Sequence, residues 1–335
     1  MSMSAYEVVC RAIEFRGPDR LPLRLTGSSF GPMESDVHQV AWNFVGTGDR
    51  SRRQAYDEWG CLWVRSEQDN MGQIKGHPLE DWEALDHFRW LDPDDAHLYA
   101  GMEARFAGSD GKYVMTGIFM LLFERLQALR GFENALMDFH LEQERVEDLA
   151  DRILEIQLGI IENIASRFPG QIHGMWFTED WGTQQALMID PALWREFFKP
   201  RYRRIIQAIH AAGWHAWMHC DGQIESILED LVEIGVDVIN LPQPRVLDVE
   251  AVGQRLRGHL CFETACDIQR TLPSGDATAI RREAGWLLEH WAAPEGGFIL
   301  SIDEDDALSL AFTSVLSVML EAFLRADPYA PPQHQ

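Results

Sequence analysis

The sequence has few cysteines and no long apolar run. Its 335 residues include five cysteines, an odd number at irregular spacing, which argues against a disulfide framework and indicates a reducing compartment. No apolar stretch reaches the roughly 18 residues that a membrane-spanning helix needs. Residues 1–13 also lack the basic and apolar segments of a secretory signal. We therefore expect a cytoplasmic protein with no membrane partner.

Basic residues are also scarce. The 29 lysines and arginines are outnumbered by 53 aspartates and glutamates, which leaves a formal net charge of −24. A surface this acidic repels phosphate backbones, which argues against nucleic acid as a partner. It argues less strongly against a polyanionic substrate, because a local basic pocket could override the average.

The chain shows no internal repeat and no low-complexity linker. Hydrophobic residues make up 46% of the sequence, enough for one large core. We expect a single domain over residues 1–335, with its core at about 5–325 and a proline-rich tail at 328–335 that frays.

Short apolar runs alternate with amphipathic runs from about residue 110 onward, a pattern typical of strands buried on both faces between helices. Eight predicted strands complete a parallel (β/α)8 TIM barrel of the α/β class, with an N-terminal helical elaboration. A doubly wound open sheet is the competing topology, but no glycine-rich phosphate turn follows any strand. The predicted strands are 21–26, 60–65, 113–117, 174–180, 215–222, 236–244, 259–267 and 297–303.

The intervening segments carry helical stripes and helix-boundary residues. Asp190 and Pro191 are suited to begin a helix that continues to Ile209. Gly235 is suited to end another helix, and Asp276 to begin a third.

Polar residues follow several of the later strands. Because the carboxyl ends of barrel strands meet at one face, these side chains should converge on one cavity. Imidazole, thiolate and carboxylate groups are all ligands of zinc and related metals. The same groups could instead form a proton donor and acceptor whose pKa values differ. The residues are Glu179, Asp180, His219, Cys220, Asp221, Asn240, Gln243, Glu263, Cys266, Asp267, Ser301, Asp303 and Glu304.

Strand alternation sorts these candidates. His219 and Asp221 share one face, whereas Cys220 points to the other. Glu179 and Asp180 are adjacent, so one faces the cavity and the other is free to cap the next helix, and the choice stays open. Away from the strand ends, Cys261 is expected in the core, and His210 and His215 are expected to be helix-end and surface residues.

Several motifs resemble the uroporphyrinogen decarboxylase superfamily, and specifically its methyltransferase-like branch. The resemblance covers roughly residues 5–325 and implies a TIM barrel. No single motif is specific for the superfamily, but their combination is. They include Asp57-Glu-Trp-Gly60, Phe123-Glu-Arg125, Phe177-Thr-Glu-Asp-Trp-Gly-Thr-Gln184, Trp194-Arg-Glu-Phe-Phe-Lys-Pro-Arg-Tyr202, His219-Cys-Asp-Gly222, Asp267-Ile-Gln269 and Gly296-Gly-Phe-Ile299.

The resemblance implies one of two activities, and the chain departs from both patterns. The decarboxylases grip a tetrapyrrole through an arginine-rich turn, whereas the segment 24–30 of this chain has Arg24 alone. The methyltransferases act with corrinoid proteins, and several bind zinc through a His-x-Cys pair and a later cysteine. Here the pair reads His219-x-Asp221, and the last strand offers Ser301, Asp303 or Glu304.

We therefore expect an enzyme that moves a methyl group from a small methylated compound, such as a methoxy compound, to a corrinoid on a separate protein, as methyl-ether O-demethylases do. The alternatives are a cofactor-free decarboxylase and a non-catalytic barrel that binds a small ligand. The resemblance also suggests a homodimer.

Each candidate residue has an expected role in this reaction. His219 with Asp180 or Glu179 would be catalytic, and zinc or another divalent metal would be held by residues from the set His219, Asp221, Glu179 and Asp303. Substrate would be oriented by Asn240, Gln243 and Gln269 and enclosed by Phe177, Trp181 and Trp217.

Overall fold

The structure is a computed structural model that describes residues 2–26, 33–43, 52–65, 72–303 and 313–330. Within these residues the strands are β1 (Leu23–Thr26), β2 (Val37–Gln39), β3 (Gln54–Tyr56), β4 (Leu62–Val64), β5 (Gln73–Gly76), β6 (Tyr113–Ile118), β7 (Gly174–Thr178), β8 (His215–His219), β9 (Val238–Asn240), β10 (Cys261–Thr264) and β11 (Phe298–Asp303). The α-helices are α1 (Ala5–Ile13), α2 (Phe123–Arg130), α3 (Phe132–Leu141), α4 (Gln143–Arg167), α5 (Pro191–Leu193), α6 (Lys199–Ala211), α7 (Leu228–Ile234), α8 (Val249–Leu256), α9 (Ala277–Trp291) and α10 (Thr313–Arg325).

Eight parallel strands form a nearly closed barrel in the order β2-β6-β7-β8-β9-β10-β11-β1. The remaining seam, between β1 and β2, is joined by residues that precede β2. The Asp36 N–H donates to the Leu23 carbonyl at 2.8 Å, and the Asp36 carboxylate accepts from the Leu23 N–H at 2.8 Å. The Ser35 hydroxyl accepts from the Leu25 N–H at 3.1 Å. The predicted TIM barrel is therefore confirmed.

One predicted barrel strand is wrong. The run 60–65 contains β4, which belongs to a separate antiparallel sheet in the order β3-β4-β5, whereas the second barrel strand is β2. The short strand β2 reads Val-His-Gln and has one buried residue, Val37, so it carries no apolar run. The β4 segment looks like a core strand because Trp63 is buried outside the barrel against Phe119.

The N-terminal elaboration contains the predicted helix and also this small sheet. Helix α1 covers the amino-terminal end of the barrel, where Val9, Cys10 and Ile13 pack against interior residues. The small sheet is joined to α2 through Asp57 and Arg125, which are both completely buried and lie 3.2 Å apart.

The predicted helix boundaries are confirmed. Asp190 accepts from the Ala192 N–H at 2.7 Å, with Pro191 in the first turn of α5. Gly235 ends α7 with a φ of 97°, and Asp276 caps α9. A π-helical turn at Trp194–Phe198 separates α5 from α6. None of the helices in the described part of the chain is long and apolar enough to cross a membrane.

Candidate metal centre at the barrel mouth

The last residues of three neighbouring strands lie at one height inside the barrel. His219 ends β8, and it is in register with Thr178 on β7 and Asn240 on β9. Alternation along β8 turns Trp217 and His219 to the interior and Met218 to the helices. His219 is therefore placed at the carboxyl-terminal face, where barrel enzymes build their sites.

Asp180, His219 and Asp221 form a compact cluster at this face. One ligand atom from each residue lies within 4.8 Å of the other two, and all three side chains are half-buried. The His219 Nε2 is 3.9 Å from the Asp180 carboxylate, too far for a hydrogen bond. The Asp221 N–H donates to the same carboxylate oxygen at 2.9 Å, which fixes its direction.

Asn240 determines which nitrogen of His219 faces the carboxylates. The Asn240 side-chain amide donates to the Glu263 carboxylate at 3.1 Å and to the Glu263 carbonyl at 3.3 Å. Its oxygen is thus the atom that meets His219 Nδ1, at 2.6 Å. That oxygen only accepts, so Nδ1 carries a proton, and Nε2 is the nitrogen that faces Asp180 and Asp221. A hydrogen bond of this kind orients metal-binding histidines.

A buried ion pair between Glu263 and Arg24 holds the side chain of Asn240 in place. Glu263 is completely buried, and its carboxylate lies 2.7 Å from the Arg24 guanidinium. Arg24 also donates to the Ser301 hydroxyl at 3.2 Å. The network therefore runs from β1 and β11 through β10 and β9 to the imidazole on β8. Sequence reasoning listed Glu263 among the polar strand ends without giving it a role, and it did not place Arg24 at the site, although both residues alternate in phase with the interior positions.

The structure separates Glu179 from this cluster. Glu179 is completely buried and accepts from the backbone N–H groups of Leu122, Phe123 and Glu124 at the start of α2, and from the Tyr202 hydroxyl. Burial raises the pKa of Glu179 to about 7, against these hydrogen bonds. Asp180 is thus the member of the adjacent pair that faces the barrel mouth, and Glu179 is the helix cap.

The turn that Glu179 supports contains two further unusual residues. Met120 has a φ of 57°, a region that side-chain-bearing residues seldom adopt, and its N–H donates to the Thr178 hydroxyl at 2.8 Å. Glu124 has one carboxylate oxygen sealed from solvent without a hydrogen-bond partner among the described residues. Burial, with the charges of Asp180 and Glu179, raises the pKa of Glu124 well above its ordinary value. The motif Phe123-Glu-Arg125 was the only sequence signal for this carboxyl.

The three predicted aromatic wall residues lie elsewhere. Trp181 is completely buried and stacks on Phe123, with ring centroids 4.1 Å apart. Phe177 faces the helices in the main core. Trp217 is buried deeper in the barrel, where its Nε1 donates to the Tyr113 hydroxyl at 3.1 Å. The indole near the cluster is instead Trp176.

Trp176 faces the barrel interior, and its ring centroid lies 6.2 Å from that of His219. Gly117 makes room for it, because a Cβ there would come within 2.8 Å of the indole. Alternation along β7 predicts an interior-facing Trp176, and this signal was overlooked.

The remaining candidates are scattered. Gln243 is buried and accepts from the Gln184 side chain at 2.5 Å, whereas Gln269 is exposed. Cys220 points away from the cluster, and its sulfur accepts from the Trp181 N–H at 3.3 Å. The side chain of Asp303 and the whole of Glu304 lie outside the described residues.

A family model for uroporphyrinogen decarboxylase matches residues 114–303, more than half of the chain. The chain belongs to the uroporphyrinogen decarboxylase family. The matched region includes Asp180, His219, Asp221, Asn240 and Glu263, whereas Arg24 lies outside it. A search of curated proteins found no match.

Solved structures share the fold at low identity. A methyltransferase from Methanosarcina mazei superposes with a TM-score of 0.66 at 11% identity, over 96% of this chain and 98% of that one. An endo-β-1,4-xylanase from Gloeophyllum trabeum gives a TM-score of 0.38 at 9% identity, over 67% and 79% of the two chains. A 3-keto-D-glucoside 4-epimerase from E. coli gives 0.40 at 15% identity, over 66% and 83%. The first likeness supports the barrel fold, and the other two are too weak to compare sites.

Proposed function

We propose that this member of the uroporphyrinogen decarboxylase family is a methyltransferase. It would transfer a methyl group from a small methoxy compound to a corrinoid bound to a separate protein, with a divalent metal held by Asp180, His219 and Asp221. The observation that carries the proposal is the oriented Nε2 of His219 facing two carboxylates at the barrel mouth.

The donor set fits a divalent metal. One imidazole and two carboxylates are ligands that zinc and harder divalent ions accept, and the Asn240 oxygen supplies the expected partner for the second ring nitrogen. When bound, such a metal supplies Lewis acidity to the ether oxygen as its bond to the methyl carbon breaks.

The cysteine positions favour an ether rather than a thiol as the reacting group. None of the five cysteines belongs to the cluster, and all five are buried. Burial raises the pKa values of Cys220, Cys261 and Cys266 well above the ordinary thiol value, which leaves these groups protonated. A thiolate-rich site for thiol activation therefore has no counterpart among the cysteines of this chain.

The chain's own residues would position the substrate. Trp176 places an indole beside His219, and a planar methoxyarene could lie against it. Half-burial of the three cluster residues limits the water that competes for them. We assign the corrinoid to a separate protein because the described residues are accounted for by the barrel and its N-terminal elaboration.

The decarboxylase alternative meets a specific obstacle in Arg24. Its guanidinium is buried and engaged by Glu263 and Ser301, so it is not directed toward the carboxylates of a tetrapyrrole. The cofactor-free decarboxylase predicts porphyrinogen turnover without metal dependence. The non-catalytic barrel predicts saturable binding of a methoxy compound without turnover.

The first test is the metal content of the purified protein, measured by plasma mass spectrometry beside His219→Ala/Asp221→Ala. His87→Ala is the control, because His87 is an exposed imidazole that does not belong to the cluster. We expect about one divalent ion per chain in the wild type and the control, and loss in the double variant. If the wild-type protein contains no metal, the metal-assisted mechanism is wrong, and the decarboxylase alternative should be tested with a porphyrinogen assay. Methyl transfer from methoxyarenes to a reduced corrinoid protein then separates an enzyme from a binding protein.

A further inference from the structure

A groove lined by three arginines lies on the loops that follow β9 and β10 and on helix α9. Its volume is about 470 Å³, within the range of small-molecule sites. Arg245 comes from the loop after β9, Arg270 from the loop after β10, and Arg282 from α9. The full lining comprises Arg245, Arg270, Thr271, Ser274, Ala279, Arg282, Glu283 and Trp286. Both loops follow the carboxyl ends of their strands, so the groove lies on the same face as the cluster.

Glu283 is the only carboxylate in this lining, and its hydrogen bonds are directed inward. It is buried and accepts from the Asp267 N–H at 2.8 Å, from the Thr271 hydroxyl at 2.5 Å and from the Arg245 guanidinium at 3.3 Å. These bonds fix both loops to α9 and hold Arg245 in place. Glu283 therefore builds the floor of the groove.

The other two guanidiniums have no acidic partner among the described residues. Arg270 and Arg282 are exposed, and no carboxylate there lies within ion-pair distance of either side chain. Three guanidiniums against one carboxylate leave two positive charges facing the groove. The whole chain has a net charge of −24, so the groove is opposite in sign to the average of the chain.

We propose that this groove binds the phosphate group of a small organic phosphate monoester. A monoester dianion carries about two negative charges and three acceptor oxygens at neutral pH, which match the charge surplus and the forked guanidinium donors. The half-buried Trp286 and Ala279 provide an apolar wall for the organic part. Free phosphate shares the headgroup chemistry but does not use that wall.

The test is calorimetric titration at low salt with phenyl phosphate, inorganic phosphate and succinate. The variant is Arg270→Ala/Arg282→Ala. The control is Arg281→Ala, which removes one exposed guanidinium from the same helix but from outside the groove. We expect saturable binding of phenyl phosphate, tighter than inorganic phosphate, that weakens by about tenfold or more in the double variant. The control should stay within about twofold of the wild type.

Three results would overturn the proposal: no saturable binding of either phosphate, equal weakening in Arg281→Ala, or tighter binding of succinate than of both phosphates. If inorganic phosphate binds as tightly as phenyl phosphate, the groove is a phosphate site, and the proposed contact between Trp286 and the organic group is wrong. Melting curves of each variant, with Arg270→Lys/Arg282→Lys as a charge-retaining second variant, separate loss of binding from loss of folding. The proposal is independent of the methyl-transfer function, because the groove shares no residue with the cluster at the barrel mouth. His219→Ala should therefore bind phenyl phosphate as the wild type does.

Discussion

The two ends of β8 place a histidine in contrasting surroundings. His215 and His219 are four residues apart and face the same side of the strand. At the amino-terminal end, both ring nitrogens of His215 meet protein groups, Nδ1 with the Tyr113 hydroxyl at 3.0 Å and Nε2 with Glu14 at 3.4 Å. At the carboxyl-terminal end, Asn240 engages only one nitrogen of His219 and leaves the other facing two carboxylates.

The difference shows what makes a barrel histidine available to bind a ligand. His215 was expected at the surface, but it is half-buried in a group of rings with Tyr113 and Trp217, because β8 begins inside the covered end of the barrel. Its imidazole is part of the packing. His219 is oriented by the fold, and its Nε2 faces the two carboxylates of the cluster. We call the amino-terminal end, which α1 covers, the closed end, and the carboxyl-terminal end the open end. The closed end should therefore govern stability, and the open end should govern metal binding and activity.

The sharpest test of this comparison is to remove each histidine in turn and to measure both activity and stability. His219→Ala should lower methyl transfer by about 10²–10⁴-fold while leaving the melting temperature nearly unchanged. His215→Ala should cost about 1–3 kcal/mol of unfolding free energy and leave metal content intact. Kinetics, calorimetric melting and metal analysis of both variants check this. Methyl transfer in His219→Ala within about twofold of the wild type would contradict the role of the open end.

The buried ion pair between Arg24 and Glu263 should matter most to the free energy of unfolding. Arg24→Met leaves the buried Glu263 carboxylate without its cation, and we expect a loss of about 3–5 kcal/mol in denaturant unfolding. Removing both charges in Arg24→Met/Glu263→Met should restore much of that loss. A double variant as unstable as the single one would show that packing, and not the uncompensated charge, sets the cost.

Asn240 should affect metal affinity more than folding. Asn240→Ala removes the acceptor that orients His219, and we expect metal affinity to fall by about 10–100-fold. Gln243→Ala is the control, because Gln243 follows the same strand without a hydrogen bond to His219. Competition with a chelator measures both variants. Equal affinities would mean that the ring is held by other contacts.

The closed end should also give stability a modest pH dependence. Burial lowers the pKa values of His215 and His173 below the ordinary value near 6.5. The unfolded chain then binds these protons first as pH falls, so unfolding free energy should decrease below about pH 6.5. The raised pKa of Glu179, about 7, has the opposite effect on stability. Between the ordinary glutamate pKa and about pH 7 the folded chain binds a proton at Glu179 that the unfolded chain does not. Acidification through this range therefore stabilises the folded state through Glu179. Glu179→Gln should therefore steepen the loss of stability on acidification between pH 7 and 5.

Much of the barrel could be predicted from the chain because the later strands are apolar on both faces. These strands appear as uninterrupted runs, and the helices begin and end at residues such as Asp190 and Gly235. The strand β2 could not be predicted, since a strand with one buried residue leaves no such run. The pairing of His219 with Asp221 follows from alternation alone, whereas the choice between Glu179 and Asp180 depends on one residue of register.

The sequence by itself determined the parallel barrel, its acidic surface, the family and the strand ends at which polar groups meet, because these depend on local pattern and composition. Only the tertiary structure decided that Asp180 joins the cluster, that Asn240 orients His219 and that Trp176 is the neighbouring indole. It also brought Arg245, Arg270 and Arg282 together around one groove. These relations join residues on different strands and loops, and their distances depend on barrel register and closure rather than on any spacing along the chain.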